Sequence, residues 1–131
     1  MKLRPLLELI RFPAVFTAPA DVLCGLAIAT VLGAPLLSSS VGLLLFASVC
    51  IYAAGMAAND IFDLQTDTEE RPGRPIPSGR VSLTTAWALV LTLQTLGLVA
   101  SYMVGLESMA CVAGTVLMTY LYNGVAKSTL L

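Results

Sequence analysis

The chain has 131 residues, of which 57% are hydrophobic and 11% charged, and its formal net charge is -1. Together with a mean hydropathy of +0.87, this excludes an ordinary soluble domain and places the chain in a bilayer. Each crossing of the hydrocarbon needs about 20 mostly apolar helical residues, and no nucleic-acid partner is expected.

Four segments satisfy that length, at approximately 12–32, 38–58, 81–102 and 108–126, so the fold class is an all-α, polytopic transmembrane bundle of about four helices. The first segment contains Pro13, Pro19 and Asp21. An ionised acid at mid-span costs roughly 2.5–3.5 kcal/mol on insertion scales. Asp21 therefore reads either as facing a pocket or as lying at the interface of a span that starts later. The first apolar run is too long for the core of a cleaved signal peptide. The second and third segments carry no charge, and Cys24, Cys50 and Cys111 each fall within a span with no ligand-like spacing, which suits small apolar packing.

The basic residues fall on one side of this pattern. Lys2, Arg4 and Arg11 precede the first segment, Arg71, Arg74 and Arg80 lie between the second and third, and Lys127 follows the fourth. The positive-inside rule then predicts a cytoplasmic N terminus and a cytoplasmic loop over 59–80, with the connections at 33–40 and 105–107 outside. The expected location is a bacterial inner membrane, spanned several times.

The end of the second segment reads Asn59-Asp60-Ile61-Phe62-Asp63-Leu64-Gln65-Thr66-Asp67. Continuing the helix at about 100° per residue puts Asn59, Asp63, Asp67 and Asp60 at roughly 0°, 40°, 80° and 100°. Like charges on adjacent turns repel, so one narrow acidic stripe makes most sense in front of a cation and the anion it carries. Amide and carboxylate oxygens without His or thiol suit Mg2+, with Asn59, Asp60, Asp63 and Asp67 as its ligands. The plainer alternative is a polar helix end solvated at the interface. An EF-hand starting at Asp63 fails, because it needs Gly at Thr68 and Glu at Arg74.

The loop that follows, Asp67 to Arg80, holds Pro72, Pro75, Pro77, Gly73 and Gly79. Pro72 and Gly73 end the acidic helix, and Pro75 and Pro77 are expected to hold their neighbours extended. On so stiff a backbone Arg71, Arg74 and Arg80 are suited to phosphate oxygens, although arginines beside a span also act as anchors. Ser82, Thr84 and Thr85 are plausible caps for the next helix.

Asn59-Asp60-x-x-Asp63-x-x-x-Asp67 followed by Arg71-Pro72-x-Arg74-Pro75-Ile76-Pro77-Ser78-Gly79-Arg80 resembles the first aspartate-rich motif and following loop of the UbiA family of intramembrane prenyltransferases. The resemblance implies Mg2+-dependent transfer of a prenyl group from an isoprenyl diphosphate donor to an aromatic or other lipophilic acceptor in the membrane lipid. It implies metal-site roles for Asn59, Asp63 and Asp67, catalytic roles for Asp63 and Asp67, a supporting acid in Asp60, and diphosphate contacts from Arg71 and Arg74. Leu121-Tyr122-Asn123-Gly124-Val125-Ala126-Lys127 is similar to the end of the family's fourth helix, implying Lys127 at the diphosphate and Tyr122, with Asp21, in the pocket. Arg11-Phe12-Pro13-Ala14 resembles the family's first-helix entry but has Ala14 where many members have Asn, so no donor contact is assigned to Arg11.

The resemblance further implies a nine-helix fold with a second aspartate-rich motif that this chain does not contain. A fragment or truncated reading frame, inactive alone, is the expectation. The alternative is a small non-catalytic four-helix membrane protein that binds an anionic lipid or forms oligomers.

Overall fold

The computed structural model describes residues 3–33 and 39–126, and every regular element among them is helical. In chain order these are α1 (Leu3–Leu9), α2 (Phe12–Val15), α3 (Ala18–Val31), α4 (Ser39–Phe62), α5 (Leu64–Glu70), α6 (Leu83–Val104) and α7 (Leu106–Leu121), followed by a π-helical turn, Tyr122–Ala126. Among the described residues three stretches are long and apolar enough to cross a membrane: Phe12–Val31, Ser40–Phe62 and Leu83–Val104. The fourth expected crossing corresponds to α7, which has 16 residues and runs on into the π turn. Most of the connection expected at 33–40 lies outside the described residues.

The first span is segmented because of its prolines. Pro13 and Pro19 each occupy the first turn of their helices, α2 and α3, where a missing N–H costs nothing because no carbonyl precedes it in the helix. Asp21 consequently falls in the first turn of α3, where the positive end of the helix dipole favours a carboxylate. Arg11, at the head of α2, is the single non-glycine residue with positive φ among the described residues, at φ 52° and ψ 52°. That left-handed conformation costs roughly 1–2 kcal/mol.

The centre of the bundle is the contact between α4 and α6, and it is built from small side chains. Ala47, Cys50, Ala54 and Ala58 on α4 face Ala86, Val90, Gly97 and Ala100 on α6, all buried. Spacings of three and four residues put each set on one helix face. Small residues allow the backbones to approach closely, the usual basis of helix association in lipid. Gly97 marks the closest approach, since a Cβ there would lie 2.8 Å from Ile51 Cδ1 and 3.4 Å from the Ala47 carbonyl oxygen. The outward faces remain apolar, with Leu91, Val99 and Met103 on α6 and Leu117 and Leu121 on α7 exposed, as lipid or further protein requires.

At the α6 end nearest the acidic segment, Phe62 meets Trp87 and Tyr120 edge to face at centroid distances of 6.2 and 5.9 Å. The Tyr120 hydroxyl donates to Gln94 Oε1 at 3.2 Å, so the one buried amide of α6 is satisfied within the bundle. Ser82 caps α6 by accepting from the Thr85 amide at 3.1 Å.

The loop between α5 and α6 departs from the extended path expected of its prolines. Residues 72–79 are almost entirely turns, tied by Ser78 N–H and Oγ, both donating to the Arg74 carbonyl, and by Val81 N–H donating to the Pro75 carbonyl at 2.9 Å. Gly79 closes the loop at φ +71°, a conformation suited to glycine. The driving force is apolar: Ile76 and Val81 are buried against Leu9, Ala57, Ile61 and Val90, which folds the loop back under the bundle. Arg80 then reaches Glu8 on α1, with nitrogen–oxygen distances of 2.7 and 3.1 Å, and the Gly73 carbonyl at 2.6 Å.

Candidate functional site

The acidic segment forms where α4 gives way to α5. The helix is interrupted at Asp63, whose φ and ψ are -83° and 2°, yet the amides of Asp63, Asp67 and Arg71 still donate to the carbonyls four residues earlier. Side chains therefore keep close to helical spacing but separate into two pairs. On the ideal wheel Asn59 and Asp63 are about 40° apart and Asp60 and Asp67 about 20° apart, and the break favours each grouping over a single row.

Asp60 and Asp67 form the inner pair. They are 6% and 2% exposed and share one guanidinium nitrogen: Arg74 Nη1 donates to Asp60 Oδ1 at 3.1 Å and to Asp67 Oδ2 at 2.5 Å. Arg11 Nη2 approaches Asp60 Oδ1 at 3.4 Å, and Arg71 Nη1 lies 3.9 Å from Asp67 Oδ1. Burying a carboxylate is tolerable only when it is paired in this way. The strained backbone of Arg11 brings the chain entry onto the same cluster, which thereby joins α1–α2, α4, α5 and the loop.

Asn59 and Asp63 form the outer pair. Asn59 Nδ2 donates to Asp63 Oδ2 at 2.9 Å, and Asn59 also lines a cavity of about 660 Å³. One wall of that cavity comes from α3 and α4, with Asp21, Ser48, Tyr52 and Asn59, and the other from α7 and the π turn, with Thr119, Tyr122 and Asn123. Ile51, Met56, Val112 and Met118 make the remainder largely apolar. Ser48 Oγ donates to the Ala18 carbonyl at 2.9 Å and holds the start of α3 against α4.

The expected single stripe of four metal ligands is thus not how the side chains stand. Among the described residues no three His, Cys, Asp or Glu side chains come together as a metal-holding group; Asp60 and Asp67 are instead paired with Arg74. Asp21, Asn59 and Tyr122 share the cavity; Arg71, with a side chain 59% exposed, stands at the rim of the inner cluster; Lys127 lies outside the described residues. Arg80 is engaged by Glu8, and its hydrogen bond holds the Glu8 carboxyl below the usual carboxylate range. The sequence reading missed the role of Arg11 and the cavity residues Ser48, Tyr52 and Asn123. For Asn123 the available signal was a polar amide beside Tyr122 at the end of an apolar helix.

Comparison with known proteins gives a consistent result. The model of the UbiA prenyltransferase family matches residues 20–131. The digeranylgeranylglyceryl phosphate synthases of Ignicoccus hospitalis and Methanocaldococcus jannaschii are each 34% identical, over 98% and 92% of this chain. That of Methanoregula boonei is 39% identical over 86% of it. The chain spans only 41–42% of the length of these relatives. A solved structure concerned with structural and mechanistic insights into digeranylgeranylglyceryl phosphate synthase in membranes superimposes with a TM-score of 0.85 at 32% identity, covering 95% of this chain and 44% of the other.

Proposed function

Because the chain belongs to the UbiA prenyltransferase family, we propose that it supplies the donor-binding half of a membrane site that moves a prenyl group from an isoprenyl diphosphate to a lipophilic alcohol. The observation that carries this reading is the outer pair: Asn59 lines an apolar cavity and bonds Asp63, on the same acidic segment whose Asp60 and Asp67 hold the guanidinium groups of Arg74 and Arg71. The cavity offers room for an isoprenoid tail, with Asn59 on its wall and Asp63 bonded to Asn59. The relatives' name points to a glyceryl phosphate as acceptor, a narrower choice than the aromatic acceptors that the resemblance alone allowed.

The donor set fits Mg2+, being carboxylate and amide oxygen without imidazole or thiolate. Asn59 and Asp63, with Asp67, would hold the ion, and the bound ion would neutralise charge on the leaving group. The chain's own contributions are electrostatic and steric. Arg71 and Arg74 offer planar donors to phosphate oxygens, and the apolar cavity walls keep water from the allylic centre. During transfer the bond from the allylic carbon to the diphosphate oxygen breaks, a bond to the acceptor oxygen forms, and the hydroxyl proton is released. The basic residues support a membrane orientation with the loop on the cytoplasmic side.

The test is a transfer assay on a chimera joining residues 1–131 to the remaining length of the Ignicoccus hospitalis relative. Active chimera should lose at least about 100-fold in turnover on Asp63→Ala, the upper range for a group supporting a metal, with membrane insertion unchanged. Unaltered turnover would remove Asp63 from the site.

A further inference from the structure

Asp21 lies at the middle of Phe12–Val31, a stretch long and apolar enough to cross a membrane, where an ionised acid is costly and calls for a function. The residue is exposed and lines the cavity, and it stands in the first turn of α3, whose positive end supports a carboxylate. Among the described residues no ion pair or hydrogen bond engages it. The arginines are held elsewhere, Arg11 and Arg74 at Asp60, Arg71 at Asp67 and Arg80 at Glu8.

Asp21 and the acidic segment stand at opposite ends of the cavity. Arg11 meets Asp60, and the Ala18 carbonyl accepts from Ser48 Oγ at 2.9 Å, so the chain moves away from the acidic segment as it enters α3. From Ser48 to Asn59 the rise along α4 is about 16 Å. The α4 residues of the cavity, Ser48, Ile51, Tyr52, Gly55, Met56 and Asn59, follow the three- and four-residue spacing of a single helix face. The cavity is therefore elongated along the helix axes, with Asn59 towards one end and Asp21 towards the other.

An unpaired carboxylate at this depth selects among ligands by charge. A metal ion needs several oxygen ligands, and among the described residues no other acid or thiol joins Asp21 in such a group. A neutral hydroxyl would donate one hydrogen bond and leave the negative charge uncompensated. An ammonium supplies the donor and the opposite charge together, and Ile51, Met56, Val112 and Met118 suit a hydrocarbon body beside it. We infer that the Asp21 end of the cavity is a binding site for a lipophilic amine, whose ammonium donates to the Asp21 carboxylate and whose hydrocarbon lies along the apolar walls. Such a ligand is neither donor nor acceptor in prenyl transfer, and its counter-ion is not one of the residues assigned to the metal diphosphate.

The experiment uses the full chain in phosphatidylcholine nanodiscs, whose lipid carries no net charge, with dodecylammonium and dodecanol as probes and a chelator present. Partition of each probe into empty nanodiscs is subtracted. The wild-type chain should bind dodecylammonium at least about tenfold more tightly than dodecanol, as expected for a hydrogen bond to a charged group. Asp21→Asn, which keeps the shape and removes the charge, should bring the two probes to nearly equal binding while dodecanol affinity stays as in the wild type. Asp21→Glu, which keeps the charge, should retain the preference for the amine. Equal binding of the two probes by the wild-type chain overturns the inference whether or not the variants fold. A preference that survives Asp21→Asn overturns it as well, because the ammonium would then be held by another acid.

Discussion

Asn59 with Asp63 and Asp60 with Asp67 come from the same nine residues and the same chemistry, yet the structure treats the two pairs oppositely. The inner pair is buried and held by Arg74, with Arg11 and Arg71 nearby. The outer pair is less deeply buried and borders the cavity through Asn59. Asp60 and Asp63, three residues apart, stand about 60° apart on the helix wheel, enough for one carboxylate to pair with Arg74 while the other meets Asn59.

Removing Arg74 should give the largest stability effect, because it strands two buried carboxylates. Arg74→Ala is expected to lower resistance to unfolding in SDS titrations by about 3 kcal/mol, whereas Asp63→Ala should change it by no more than about 0.5 kcal/mol. Adding Asp60→Asn and Asp67→Asn to Arg74→Ala should recover much of the loss. Equal destabilisation by Arg74→Ala and Asp63→Ala would erase the distinction between the pairs.

A smaller effect is expected from the packing that positions both pairs. Gly97→Leu forces a side chain into Ile51 at the α4–α6 contact and should cost about 2 kcal/mol by the same titration. An undisturbed Gly97→Leu variant would mean that α4 and α6 are not in close contact there. The smallest effect belongs to the exposed tie between Glu8 and Arg80. Its hydrogen bond lowers the Glu8 pKa, so the stabilisation is present above the ordinary carboxylate range and is lost as pH falls through the lowered folded value. Hydrogen exchange of the α1 amides should accelerate on acidification through that range, and Arg80→Gln should remove the added step. An identical pH profile in that variant would show that the tie does not hold α1.

Much of the architecture was legible because hydrophobic runs of membrane length are hard to mistake, and the cap at Ser82 follows from its hydroxyl and position. Two features were harder to read. The loop was expected to be extended from Pro75 and Pro77, but Ile76 and Val81 are apolar residues beneath a small-residue bundle and their burial bends the chain into turns. The acidic stripe was legible as a cluster, but its division depends on a guanidinium that arrives from Arg74 and on Arg11, 49 residues before its partner Asp60. Helical periodicity carries no information about contacts of that separation. Asn123 was legible only as an amide beside Tyr122, since its unpaired oxygen is defined by what fails to surround it.

The most direct measurement uses Mn2+ as a paramagnetic replacement for Mg2+, because both favour octahedral oxygen coordination. Titrated into the chain in nanodiscs with geranylgeranyl diphosphate, Mn2+ should be retained and should broaden the side-chain amide resonance of Asn59, and Asp63→Ala should abolish both effects. Retention and broadening that survive Asp63→Ala would contradict the assignment of the outer pair to the metal diphosphate.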